Sequence, residues 1–197
     1  MDVTVIIPAF NAQKYIARAI RSILSNFTNY KFEVIVVDDG STDETEKIIS
    51  AFGSLVRVIK NDRNCGLPYS LNRAIEASAG RYIIRLDADD FVNENYIQFH
   101  AAFLDLNVDY AAVRSDYILV NENEDVLSRA SQVEKPIGCA IMFRKEIIES
   151  LGFYNEDLRR DEEVCLLERF NKFEYQMGEL NIPLYRYRDT PGSLSKE

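Results

Sequence analysis

The sequence predicts an α/β protein built on a mostly parallel sheet flanked by helices. Three observations predict it. Short, continuous, β-branched apolar runs alternate with segments of helical period over about the first 107 residues, the pattern of parallel strands buried on both faces. Each run ends at Pro, Asn, Asp or Gly, so the strands are short and sharply bounded. Residues beyond 108 break this rhythm, which makes the second half mixed.

Residues 3–8 (VTVIIP) are a buried strand stopped by Pro8. In the next segment Tyr15, Ile16, Ala19, Ile20, Ile23 and Leu24 recur at helical spacing, so one face of a helix is apolar. Residues 31–40 (KFEVIVVDDG) are a second buried strand. Ser41 with Glu44 three residues later reads as a capping box opening the next helix. Residues 54–62 are a third strand. A helix follows, with Pro68 in its first turn and its end near Gly80. Residues 81–90 (RYIIRLDADD) are a fourth strand, and Asn93 caps the helix after it. In the second half, 109–127 hold one or two strands, 138–152 a strand leading into a helix, 158–172 a helix, and 182–188 a late strand. No linker or repeat divides the chain. One domain over 1–197 is expected, with a nucleotide-type α/β half at 1–107 and a mixed half at 108–197.

Bulk properties narrow the function. The chain has 197 residues, 47% hydrophobic, enough for a real core. A net charge of -9 excludes nucleic-acid binding through the bulk field. An anionic ligand therefore needs a local cation. Three widely spaced cysteines, Cys65, Cys139 and Cys165, fit neither a disulfide framework nor a zinc site, and imply a reducing cytoplasm. The opening residues form a strand rather than a signal peptide. No apolar run approaches the roughly 18 residues that span a bilayer, so a membrane contact would be peripheral, at the inner face.

Chemistry is expected beyond the carboxyl ends of the strands, where open α/β sheets bind ligands. Those ends carry Asn11, Asp38-Asp39, Asn61-Asp62 and Asp87-Ala88-Asp89-Asp90. Asp43 and Asn93 read as ordinary cap or turn residues. The two acidic clusters do not, since a cap needs no adjacent carboxylates. On an extended strand, Asp87 and Asp89 would point to one side. Hard oxygen donors suit Mg²⁺ or Mn²⁺, which keep free positions for substrate phosphates. Phe10 offers a ring face to a base, and Asp39 an acceptor for a base N–H or a ribose hydroxyl. No Gly-x-Gly-x-x-Gly and no P-loop is present, against dinucleotide oxidoreductases and P-loop enzymes. His100 is the one histidine, on a helix face, and reads as structural, against a Ser-His-Asp hydrolase.

Five segments taken together resemble the blocks of family 2 glycosyltransferases: residues 3–24, 34–45 (VIVVDDGSTDET), 64–90, 152–170 and 182–195. The resemblance spans nearly the whole chain. It implies a GT-A fold, a Rossmann-like sheet with a mixed acceptor-side half. It implies an inverting sugar transfer from a nucleotide-diphosphate sugar, with UDP the first expectation, assisted by Mn²⁺ or Mg²⁺. The acceptor would be a glycan, polysaccharide or lipid-linked sugar. Residue by residue, it places Pro8, Phe10, Asn11 and Asn72 at the nucleotide and Asp39 on the base. Asp87 faces the ribose or the metal, and Asp89 binds the metal. The acid pair Glu162-Glu163 supplies the general base, with Asp161 an alternative. An acidic first helical turn, favoured by the helix dipole, is the plainer reading of that pair. The oligomeric state is unread.

Departures from the family pattern accompany it. Glu163 stands where Asp is common, one methylene longer. Phe10 replaces a Tyr, Gln13 a Glu, and Leu71 an Arg whose phosphate contact Arg73 could replace. Thr190 stands where many relatives carry a His of the metal or phosphate shell. Gly138 and Cys139 are expected to let backbone approach the acceptor, and Arg144 to meet acceptor or phosphate. Tyr185, Arg186, Tyr187 and Arg188 either close over the diphosphate or form an edge strand. Many relatives continue past the point where Glu197 ends this chain, so a minimal enzyme and a piece of a longer one both fit. The departures also motivate a second reading, a catalytically decayed nucleotide-sugar-binding or partner-binding module. A sugar nucleotidyltransferase lacks its glycine-rich loop here, and a receiver domain is shorter.

Overall fold

In the computed structural model, which describes residues 1–158 and 160–189, β1 (Val3–Ala9), β2 (Phe32–Asp38), β3 (Arg57–Lys60) and β4 (Tyr82–Arg85) form the parallel part of a nine-stranded sheet in the order β3-β2-β1-β4. Alternation sorts their side chains onto two faces. Val3, Val5, Ile7, Val34 and Val36 pack on α1 (Ile16–Leu24) and on α4 (Tyr96–Leu106). Ile6, Ile35 and Val37 face α3 (Leu67–Ala77) and, further along the sheet, α5 (Lys145–Ser150) and α6 (Glu162–Lys172). The continuous apolar runs are therefore strands covered on both sides.

Beyond β4 the sheet turns mixed. A two-residue strand, β5 (Phe91–Val92), was not legible as one. β6 (Tyr110–Val120) pairs antiparallel with β7 (Val126–Ala130) and with β8 (Ile141–Arg144), which in turn pairs antiparallel with β4. β9 (Gln176–Arg188) lies parallel to β6 and starts six residues before the expected late strand. Its register shifts near Pro183, the kind of irregularity at which a strand tolerates proline. Because Tyr185 and Arg186 pair with both β5 and β6, this stretch is not a sheet edge.

Three local expectations change. The Ser41–Glu44 capping box does not form, and α2 (Thr45–Ser50) starts at Thr45. Asp43 bonds the Thr45 N–H and hydroxyl instead, while the Glu44 N–H donates to Gln13 and Ser41 Oγ accepts from the Asn11 N–H. Tertiary bonds to the loop after β1 outcompete the local box. Asn93 accepts from the Asn95 N–H just ahead of α4, a turn role one step removed from the expected cap. The fourth strand stops at Arg85, so Asp87 to Asp90 form a turn closed by the Asp90 N–H on the Asp87 carbonyl at 3.1 Å.

His100 is fully buried in α4, and its Nδ1 donates to the Tyr96 carbonyl at 2.7 Å. The neutral ring therefore carries its proton on Nδ1. Burial lowers its pKa to about 4. The folded value lies below the unfolded one, so its contribution is present above about pH 6.5 and is lost as pH falls toward 4, on the order of 3 kcal/mol in all. His100→Asn is expected to flatten the urea midpoint between pH 6.5 and 4 relative to wild type. An unchanged slope would refute a neutral His100.

Candidate active site

The parallel strands all end at one edge of the sheet. At the end of β1, Phe10 is 47% exposed and Pro8 half-buried. Asn11 follows in the left-handed region, φ 49°, and its side-chain oxygen accepts from the Thr42 N–H. Asn11 thus joins the β1 and β2 loops and leaves the Phe10 ring presented to solvent. At the end of β2, Asp39 is buried and accepts from Asn61 Nδ2, the Cys65 N–H and the Gly66 N–H at 2.6–2.9 Å. Its carboxylate holds the 61–66 loop in place, with about one lone pair left over. Gly40 allows this packing, since φ is +72° and a Cβ there would strike the Arg63 backbone.

The 87–90 turn gathers three carboxylates. Asp90 is buried, receiving the Tyr185 hydroxyl at 2.7 Å and the Arg188 N–H at 2.7 Å. Burial, then Asp89 and Asp87, push its carboxyl well above the usual range. Asp89 is raised to about 6, first by burial and then by Asp87. Ligand atoms of Asp87, Asp90 and Cys139 lie within 4.8 Å of one another. In the turn, strand alternation no longer applies, and the acid that shares this cluster with Asp87 is Asp90.

Arg85, the last residue of β4, is the group that sequence reasoning missed. Its Nε and Nη2 donate to the two oxygens of Asp87 at 2.5 and 3.0 Å. Its Nη1 reaches Glu162 at 3.3 Å and also bonds Glu163. Burial, the largest single influence, opposes the guanidinium charge, but the surrounding groups, Asp87 first among them, together outweigh it and the pKa is raised. The signal was present: a lone cation inside the apolar run YIIRL must find partners. Through it the acidic turn meets Glu162 and Glu163 at the start of α6, after Asp161 in the left-handed region at φ 60°. Glu162 is buried, and Glu163 is the more exposed of the two acids.

The other residues expected at the site are held by contacts within the chain. Asn72 is buried, bonding the Tyr154 backbone in both directions and Glu156. Leu71 lies in the core. Arg73 bonds the Lys60 carbonyl and Asn61. Arg144 is not a solvated helix start. It bonds the carbonyls of Leu104, Asn107 and Tyr110 where α4 ends, where a cation complements the helix dipole. Gly138 faces Glu163. Arg188 is buried, with its Nε on the Asp89 carbonyl and its guanidinium near the rings of Tyr15 and Phe91. Thr190 lies outside the described residues.

The donor set fits a hard divalent cation. Asp89 is a carboxylate that burial and a neighbouring acid leave short of positive charge, and Asp87 stands beside it. Cys139, whose thiol burial pushes well up, stays protonated and is no ligand for Mg²⁺ or Mn²⁺.

An acidic turn at the carboxyl edge of the parallel strands thus meets an acid pair across one guanidinium. Residues 4–164 match the model of Glycosyl transferase family 2. An uncharacterized glycosyltransferase of Haemophilus influenzae is 32% identical over 156 residues, 78% of this chain and 48% of its own length. Staphylococcus aureus TarS 1-349, solved in complex with UDP-GlcNAc, superimposes with a TM-score of 0.81 at 21% identity, over all of this chain and 61% of that one. The Pyrobaculum calidifontis mannosyltransferase PcManGT, solved with GDP-Man and Mn²⁺, gives 0.73 at 18% identity, over 98% and 58%. The chain thus belongs to glycosyl transferase family 2. It spans about half the length of that first relative and about three-fifths of these solved chains. Among the described residues no helix is long and apolar enough to cross a membrane.

Proposed function

We propose that this chain transfers a sugar from a nucleoside-diphosphate donor, a UDP-sugar, to a hydroxyl of a glycan, polysaccharide or lipid-linked acceptor, with inversion. The observation that carries the reading is the meeting of the 87–90 acidic turn with the Glu162–Glu163 pair across Arg85. A sugar hydroxyl is a weak nucleophile, and a carboxylate within reach takes its proton as attack develops. Glu163, the more exposed acid, is assigned that role. Asp89 and Asp87 would hold Mn²⁺ or Mg²⁺, whose charge offsets that gathering on the departing diphosphate. Phe10 stacks on the base. The spare lone pair of Asp39 accepts from the base N–H, and Asn11, Pro8 and Asn72 shape the pocket through the loops they hold. The UDP-GlcNAc complex of TarS supports uridine, and the GDP-Man and Mn²⁺ complex of PcManGT supports a metal-assisted donor site. Free cysteines and an acidic chain are compatible with work in the cytoplasm, where a lipid-linked acceptor would be met at the membrane surface.

A thermal-shift panel of UDP, GDP and dTDP, each with and without Mn²⁺, tests this. UDP is expected to stabilise the protein only when Mn²⁺ is present, by about 2.7 kcal/mol at a hundred times its Kd. A folded protein indifferent to every nucleotide would replace this reading with that of a partner-binding module.

A further inference from the structure

Glu163 is held from two sides by residues that the proposed chemistry does not itself use. Gly138, in the segment that leads into β8, is one. A Cβ built there would fall on the Cγ, Cδ and Oε1 atoms of Glu163, closer than real side-chain contacts come. The missing side chain at 138 is thus the space that the Glu163 side chain fills. Arg85 is the other. Its side chain is 12% exposed and its three guanidinium nitrogens divide between Asp87 and the acid pair. One planar fork can hold two carboxylate groups in fixed relation, which a point charge cannot. Without it, three carboxylates would repel one another in a partly buried place.

We propose that Gly138 and Arg85 are positioning residues that together set where the Glu163 carboxylate stands, Gly138 by leaving room and Arg85 by tying it to the Asp87 turn. The catalytic consequence rests on Glu163 being the base; the contact itself does not. A displacement of Asp87 on the donor side is then passed through one guanidinium to the acid on the acceptor side.

The test uses Gly138→Ala, Glu163→Asp, the double variant and Arg85→Lys. The atoms that the new methyl would meet belong to the end of a flexible side chain, so Gly138→Ala displaces Glu163 rather than the backbone. It is expected to lower the melting temperature, and Glu163→Asp, which withdraws the carboxylate, to restore more than half of that loss. Strictly additive effects would overturn the contact. Turnover is read as UDP released from UDP-GlcNAc with Mn²⁺, with water as acceptor. Gly138→Ala and Arg85→Lys are each expected to lower kcat about tenfold or more with KM unchanged, as loss of a group placed for the transition state does. An unchanged kcat in both would overturn the positioning role. If wild type neither binds UDP with Mn²⁺ nor releases it, the proposed function fails, and the stability cycle still decides whether Gly138 seats Glu163.

Discussion

Asp89→Asn is expected to abolish Mn²⁺-dependent stabilisation by UDP and to reduce turnover to background. The carboxylate of Asp89 is raised to about 6 because burial and the neighbouring Asp87 both disfavour its charge. A site that resists a negative charge in this way gains most from a cation, and an amide supplies oxygen without charge. The fold should survive, because the substitution removes a costly buried charge rather than a paired one. In the folded state a pKa of about 6 exceeds the unfolded value, so without metal the protonated group contributes stability below about pH 4. That contribution is lost as pH rises through 6. The metal competes for the same oxygens. Wild-type Mn²⁺ affinity is therefore expected to rise as pH passes through 6, measured by titration calorimetry from pH 5 to 7.5. A pH-independent affinity, or full Mn²⁺ binding by Asp89→Asn, would move the metal away from Asp89.

Glu163→Gln is expected to lower turnover by about a hundredfold to ten-thousandfold while leaving UDP binding intact, the range for loss of a general base. Glu162→Gln is expected to act chiefly on stability. Glu162 is buried among Arg85 and the first turn of α6, so its loss removes half of a close ion pair rather than a group that meets solvent. Kinetics of both variants with UDP-GlcNAc, beside their thermal midpoints, separate the two roles. The opposite outcome, with Glu162→Gln inactive and Glu163→Gln near wild type, would exchange the assignments.

Apart from the two-residue β5, the order of strands and helices through Leu106 followed from apolar period and turn residues alone, because strands covered on both faces write their burial directly into sequence. Asp39, Asp87 and Asp89 were legible as site candidates through their spacing and their place at strand ends, whereas the acid pair at the start of α6 was singled out by the family resemblance. Arg85 was in plain view but unread, since its two partners in the acid pair lie 77 and 78 residues away and no local pattern names them. The Ser41–Glu44 box was misread for the same reason: its groups bond across to residues 11–13. Arg144 read as either a ligand contact or a solvated helix start, and no local pattern pointed to the three carbonyls it meets at the end of α4 and the start of β6. Sequence by itself determined the alternation, the core faces and the identity of the acids. Only the tertiary structure decided that strand β4 stops at Arg85, so that the acids turn rather than alternate, and that one guanidinium and one glycine bring the two acidic clusters together. Burial is a local property that periodicity records, whereas the pairing of charges depends on which distant segments the closed sheet makes neighbours.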